Sequence, residues 1–534
     1  MIEFENGDGP GSGSGSGSAS GSALEGECRA MFGDRSEDVP LSAAPYAALA
    51  RRIAVARRQR RQRLSGAVLA TVVTVAGAGA FAASSTRGTA VPTGPRPSEP
   101  ATPGVSATST KFVYDDGQTV FSATGAAPAS LGGYIGYLRD GATTYLATVH
   151  ADDPSNKYTD VRTLENGGYT IATTFNEYAM DDAVTAADAL WKNQGWNPTK
   201  HASDHDVHLA FAAVDPRTGY VKAVYNGVDG VQDYSKAKVD AALTGGVQVG
   251  SLFKPFTLAA AFQTGKFTPD SMEPASNVDK PLYDPAGSTD QRDRLTYVDA
   301  NGRVQNWPPS EDGEGSHGSV EVSLRFGMEQ SYNAVFANLE MDQNVGLDNV
   351  YDMATKLGIA KHTVGFSRVP SLTLGTAEVT PAVMASAFGT FAAGGVHHAP
   401  VTVSEIRDRN GKVVWKAPAE GVVAMSPSAA AQVTDVLKGV LARGTASGNV
   451  YATDLARKLP ELAGKTSTTD SDHAAWFDGY DSKLATAVAI FRQTPSGTFE
   501  PLTGVASDDP LQRINGMSSP TDVWAKFTSI AEPQ

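Results

Sequence analysis

The β-forming sequence of this chain lies in two blocks, residues 208–225 and 462–492, with a long helical stretch between them, so a sheet built from both must close across that whole distance. Each block is legible locally. Residues 208–214 and 220–225 flank Asp215-Pro-Arg-Thr-Gly219, whose turn formers predict a hairpin. Residues 462–468, 474–480 and 484–492 read as three further short β segments joined by turns. Upstream, residues 167–174 alternate as a strand does, and residues 177–194 follow with helical spacing. The pattern predicts an α+β fold, an antiparallel sheet flanked by helices with a helical subdomain in the middle of the sequence.

The N-terminal part is organised differently. Residues 64–83 carry no charge and are mostly Ala, Val, Leu and Gly, about the 20 residues a helix needs to cross a bilayer. Seven arginines stand in residues 51–63, directly before that run. By the positive-inside tendency, residues 1–63 form a cytoplasmic tail, 64–83 a single transmembrane helix, and everything beyond lies outside the membrane. A cleaved signal peptide ending near Ala80-Phe81-Ala82 and a buried soluble helix are the competing readings; the run is longer than a usual signal core. The Gly/Ser repeat in residues 9–22 cannot bury enough apolar surface to fold, and the Pro/Thr/Ser-rich residues 84–110 read as a spacer. The remainder divides into an N-terminal linker or subdomain, 111–200, and a main domain, 201–534.

Composition excludes several classes. The net charge of −14 disfavours nucleic-acid binding. The single cysteine, Cys28, lies in the tail, so the body has neither an intrachain disulfide nor a cysteine metal cage. His201, His205 and His208 with Asp204 and Asp206, and the pair His397-His398, read as polar loops rather than metal ligands.

The candidate chemistry sits between the two β blocks. Gly250-Ser-Leu-Phe-Lys-Pro-Phe256 opens an apolar helix on which Ser251 and Lys254 share a face. A serine hydroxyl is a poor nucleophile until a base takes its proton, and a desolvated neutral lysine is suited to that. Ser331-Tyr332-Asn333 adds a second hydroxyl and an amide, and Lys465-Thr466-Ser467-Thr468 a cation and hydroxyls on an expected strand. Singly each motif has an ordinary explanation, a helix cap or a solvated face; their order and their placement on a helix start, a loop and a strand point to a catalytic set.

With these motifs the sequence resembles the penicillin-binding proteins and serine β-lactamases, whose signature is Ser-x-x-Lys, Ser-x-Asn and Lys-Thr-Gly. It is most similar to the transpeptidase half of class A penicillin-binding proteins, over roughly residues 111–534. Gly167-Gly-Tyr-Thr-Ile, Asp215-Pro-Arg-Thr-Gly, Asp233-Tyr-Ser, Leu374-Gly-Thr-Ala-Glu-Val-Thr-Pro381, Phe391-Ala-Ala-Gly-Gly395, Trp476-Phe-Asp-Gly-Tyr480 and the terminal helix at 524–530 all look like landmarks of that family. The resemblance implies that Ser251 attacks a D-Ala-D-Ala carbonyl of a peptidoglycan stem peptide, or a β-lactam, with Lys254 as base. Ser331 would relay a proton to the leaving amine, and Asn333 would hold substrate and Lys254. Lys465 would supply positive potential, Thr466 and Thr468 would bind the terminal carboxylate, and the N–H groups of Ser251 and Thr468 would form an oxyanion hole. No cofactor or metal is implied.

Two departures stand out. Ser467 replaces the family's glycine and is expected to crowd a bound acyl group. Class A proteins also carry a glycosyltransferase domain ahead of the transpeptidase, whereas residues 84–166 are too few for one and lack Glu-Asp-x-x-Phe-x-x-His; a separate glycosyltransferase would then be a partner, alongside the cytoplasmic membrane. A β-lactamase and a non-catalytic β-lactam sensor or scaffold are the rival functions.

Overall fold

The computed structural model describes residues 109–123, 134–165, 167–193, 195–230, 241–275, 296–298, 304–306, 321–418 and 420–531. The expected tail with Cys28, the expected membrane span and all but the end of the spacer lie outside the described residues. Among the described residues no helix is long and apolar enough to cross a membrane. Those residues all belong to one compact unit, Pro97–Gln534.

Along the chain run β1 (Lys111–Val113), β2 (Val120–Ala123), α1 (Ile135–Asp152), β3 (Thr170–Thr173), α2 (Glu177–Asn193), β4 (Val207–Val214) and β5 (Val221–Val228). Then come α3 (Lys254–Gln263), α4 (Leu324–Glu329), α5 (Asn333–Glu340), α6 (Pro381–Ala392), β6 (Val403–Arg407) and β7 (Val413–Lys416). The last principal elements are α7 (Pro427–Ala442), β8 (Ala463–Thr468), β9 (Ala474–Tyr480), β10 (Ala485–Gln493) and α8 (Ser519–Ile530).

The main sheet has the order β8-β9-β10-β4-β5, all antiparallel, with the short strand Phe499–Glu500 added to β10. It is the sheet expected from the two sequence blocks: β4 and β5 form the hairpin about residues 215–219, and β10 joins it to the C-terminal block. Nearly every residue of β4, β9 and β10 is buried, because helices cover both faces and leave no polar side to the strands. On one face α8 packs Phe527 against Phe211 and Trp524 against Phe477, with ring centroids 4.7 and 4.6 Å apart. On the other face α6 and α7 cover the sheet, and Phe388 meets Tyr480 edge-on at 6.3 Å.

A second sheet, order β7-β6-β3-β1-β2, includes the parallel pair β1 and β3. The segment expected as an N-terminal linker or subdomain, 111–200, shares its sheet with residues 403–416 from far downstream. A small core of Phe112, Ala142, Leu146, Leu164, Ile171, Val403 and Ile406 fills the space beneath α1.

Candidate active site

Ser251 sits in a single 3-10 turn, Gly250–Phe253, that runs directly into α3. α3 is buried from Lys254 through Phe262, so the turn is carried on a helix with no solvent face. Gly250 takes a φ of 57°, where a side chain is strained, and a Cβ there would collide with Ser467 Oγ. The turn is stitched down from two sides. Val249 N donates to Ala377 O (3.1 Å) and Gly250 N to Gly375 O (3.0 Å). From the main sheet, Trp476 Nε1 donates to Gln248 O (2.9 Å) and Ser467 Oγ to Val249 O (2.8 Å). The Ser251 side chain is half-buried, and its hydroxyl makes no hydrogen bond among the described residues.

Ser331 owes its place to the way α4 ends. Ser331 N donates to Met328 O (3.1 Å) and Tyr332 N to Gly327 O (2.8 Å), the paired bonds of a Schellman cap. That cap puts its closing residue in the left-handed region, normally a glycine's position; here Ser331 occupies it with a φ of 59°. The strained backbone points a hydroxyl into the cleft, and α5 starts two residues later at Asn333.

Two fully buried lysines converge on that hydroxyl. Lys254 Nζ donates to Ser331 Oγ (3.1 Å), to Asn333 Oδ1 (2.6 Å) and to the Ser331 carbonyl. Lys465 Nζ donates to Ser331 Oγ (2.8 Å) and Thr466 O (2.8 Å). Burial pushes the Lys465 ammonium well below the ordinary lysine range, and the neighbouring Lys254 charge pushes it the same way. Lys254, Ser331, Asn333 and Lys465, from three distant segments, are thus brought into one hydrogen-bonded group.

β8 forms the edge of the main sheet and so one wall of the cleft. Thr469 N donates to Ala474 O (2.9 Å), which fixes the phase of the ladder between β8 and β9. By the antiparallel alternation, Lys465 and Ser467 turn their backbone groups inward to β9, while Thr466 and Thr468 present theirs at the open edge. The Thr468 N–H therefore faces outward, the orientation an oxyanion donor on this strand requires.

The side chains qualify the sequence reading in three places. Ser467 shares the face of Lys465, as alternation demands, yet its hydroxyl is spent on Val249 O and is buried beneath the serine turn rather than crowding an open cleft. Thr466 and Thr468 point to the opposite face: Thr466 Oγ1 lies 2.6 Å from Thr445 Oγ1, and Thr468 Oγ1 accepts from Gly516 N (3.1 Å). Thr445 was not legible in advance, since a lone threonine after a helix carries no pattern.

Two buried carboxyls were also missed. Asp478 stands directly across from Lys465 in the β8–β9 register, is fully buried, and neither of its oxygens has a hydrogen-bond partner among the described residues. Glu340, at the end of α5, is likewise fully buried, and burial pushes both groups well above the ordinary carboxylate range. The discounted histidines disperse. His201 contacts Asp508 (2.7 Å) and Asp204 (3.2 Å), whereas His208 stacks on Phe491. His397 is buried against Thr390 Oγ1 (3.1 Å), and burial lowers its pKa to about 4.

Residues 209–499 match the model of the penicillin binding protein transpeptidase domain. Penicillin-binding protein 1A of Aquifex aeolicus is 29% identical over 285 residues, covering 53% of this chain and 34% of the relative. Penicillin-binding protein 1A of Mycolicibacterium smegmatis is 28% identical over 383 residues, covering 68% of this chain and 41% of the relative. The chain thus spans about a third to two fifths of the length of these relatives. Among solved structures, the penicillin-binding protein PonA1 from Mycobacterium tuberculosis shares the fold, with a TM-score of 0.54 at 24% identity over 73% of this chain and 90% of that one. The family match covers more than half of the chain and spans all three motifs singled out in the sequence, so this chain belongs to the penicillin-binding protein transpeptidase family.

Proposed function

We propose that the chain is a serine acyltransferase acting on D-Ala-D-Ala stem peptides of peptidoglycan, with Ser251 as nucleophile. The observation that carries this reading is the convergence of Lys254, Asn333 and Lys465 about the single hydroxyl of Ser331, beside the turn that bears Ser251. Ser251 Oγ attacks the penultimate D-alanine carbonyl as Lys254, acting in its neutral amine form, accepts its proton, giving a tetrahedral oxyanion held by the N–H groups of Ser251 and Thr468. Collapse breaks the C–N bond, and the proton returns through Ser331 to the departing D-alanine amine. The ester on Ser251 then passes to an acceptor amine, forming a cross-link, or to water, trimming the peptide. Lys465 and the Thr466 N–H at the open edge of β8 receive the substrate's terminal carboxylate. A β-lactam enters the same course but keeps its leaving amine tethered. A solved structure of the M. tuberculosis PonA1 protein is a complex with penicillin V, in keeping with such a ligand here.

The seven arginines before residues 64–83 support a membrane-anchored enzyme whose catalytic part faces outward, and the shortness of residues 84–166 supports a supply of glycan strands from a separate glycosyltransferase. Intact protoplasts exposed to a membrane-impermeant fluorescent penicillin test location and chemistry together. Label on the chain that persists for hours, with release of D-alanine from a stem pentapeptide by the purified protein, is the expected result. Rapid loss of label would make it a β-lactamase, and stable label without peptide turnover a sensor; label only after lysis would reverse the topology.

The contact between Ser467 and Val249 changes what the missing glycine means. A hydrogen bond of this kind is worth about 0.5–1.5 kcal/mol, and each 1.36 kcal/mol is tenfold in rate. Ser467→Ala, which loses only that bond, is expected to slow penicillin acylation about 3–10-fold, and Ser467→Gly at least as much. Faster acylation by folded Ser467→Gly protein would restore the crowding interpretation.

A further inference from the structure

Glu329 ends α4 two residues before Ser331, and Arg443 follows directly on α7. Their side chains meet in a two-pronged ion pair, with Arg443 Nε 3.0 Å from Glu329 Oε2 and Nη2 2.5 Å from Oε1. The Glu329 side chain is 4% exposed, that of Arg443 58%, so the buried partner is the one next to the catalytic loop. Burial pushes the Glu329 carboxyl upward and Arg443 opposes it. The Glu329 carbonyl in turn accepts from Thr445 N (2.8 Å), and Thr445 Oγ1 reaches Thr466 Oγ1 (2.6 Å). One unbroken run of polar contacts thereby ties the loop of Ser331 to the strand of Lys465. The chain makes room for it: a Cβ on Gly439 would collide with the Glu329 carboxylate, and one on Gly444 with the Glu329 carbonyl.

None of these groups faces a reacting atom, and removing one partner of a buried ion pair leaves the other charge uncompensated. We propose that Glu329 and Arg443 are positioning residues, a strut across the end of the cleft that sets the distance between Ser331 Oγ on one wall and Lys465 with Thr466 on the other. The inference rests on the acyl-transfer reading for its effect on rate, and on the contacts alone for its effect on the walls. Ser331 Oγ must stay within reach of both lysines, at 3.1 and 2.8 Å, for a proton to pass, and misplacing a reacting group by about 1 Å costs on the order of 10²-fold.

The same two helices supply an internal control. Arg325 of α4 pairs with Asp435 of α7 at 2.8 Å, but Arg325 lies a full turn before Glu329 on α4 and Asp435 is mostly exposed. In the full-length protein, Arg443→Ala and Glu329→Gln are expected to lower the limiting rate of penicillin acylation about 10–100-fold while shifting the half-saturating concentration by less than about threefold. Arg443→Lys keeps the charge but not the planar fork and should recover part of the loss; Arg325→Ala should behave as wild type. Hydrogen exchange at the Thr445 amide should rise in the Arg443 and Glu329 variants alone. Wild-type acylation by folded Arg443→Ala and Glu329→Gln, a loss that Arg443→Lys does not relieve, or an equal loss in Arg325→Ala would each overturn the strut. If even the wild-type protein forms no Ser251-dependent adduct, the functional reading fails by itself; unchanged Thr445 exchange in Arg443→Ala would then refute the strut, and raised exchange would uphold the wall-to-wall tie.

Discussion

Ser251→Ala protein is expected to form no covalent adduct with penicillin while melting within a degree or two of wild type. The chemical part follows from atom count, since alanine offers no oxygen for the ester, and loss of a serine nucleophile elsewhere costs on the order of 10⁶ in kcat. The structural part follows from the surroundings. The Ser251 hydroxyl is half-buried and makes no hydrogen bond among the described residues, and the turn is held by the backbone and carbonyl bonds of residues 248–250. Lys254, Ser331, Asn333 and Lys465 keep all their mutual contacts in the variant. Mass-spectrometric mapping of a labelled peptide decides the matter: an adduct on any residue of folded Ser251→Ala protein at a rate near wild type removes Ser251 from the mechanism.

The second large effect has the opposite sign. Asp478→Val is expected to raise the melting temperature by several degrees at neutral pH. Asp478 faces the layer of α6 and α7 beside Ala487, and its two oxygens find no partner among the described residues. A buried polar group left unsatisfied costs about 1–3 kcal/mol, and valine suits a strand position covered by helices. Asp478→Asn, which keeps a buried polar group, should gain little. The pH dependence fixes the cause. Burial raises the folded carboxyl above its unfolded value, so the folded state holds the proton longer and wild-type stability falls as pH rises above about 4. The advantage of Asp478→Val should be small near pH 4 and widen toward neutrality. A variant that melts lower than wild type at pH 7 would mean that the acid is satisfied, with Lys465 across the strand as its natural counter-charge.

How far the sequence carried can be judged from particular residues. The main sheet was legible because residues 215–219 mark a hairpin and the apolar runs on either side of the helical middle had to find partners. The joining of β3 to β6 was not legible, because pairing between residues 170–173 and 403–407 leaves no local trace in either segment. Among site residues, order and spacing picked out Ser251, Lys254, Ser331, Asn333 and Lys465, and the structure brings the last four together. What spacing could not reveal was conformation: that Ser331 takes a glycine's place in a helix cap, that Ser467 is tied to Val249, or that Thr466 answers Thr445. Glu329 and Arg443 were invisible for a simpler reason, since an acid and a base far apart in sequence look like solvated surface until the fold lays them together.

The order of strands in the main sheet has a consequence for how the protein is made. β4 lies in the interior of that sheet between β5 and β10, so one of its long edges stays open until residues 485–493 have left the ribosome. A growing chain that already contains Ser251, Lys254, Ser331 and Asn333 therefore has no working cleft, because the wall bearing Lys465 and the strands that support it come last. During that interval an apolar hairpin with an unpaired edge is exposed, which is the kind of surface that pairs with other chains. Assembly is then dominated by contacts between distant parts of the sequence and is expected to be slow. It also follows that nonsense truncations between residues 462 and 485 are as destructive as those near the nucleophile, even though every residue of the first two motifs is retained.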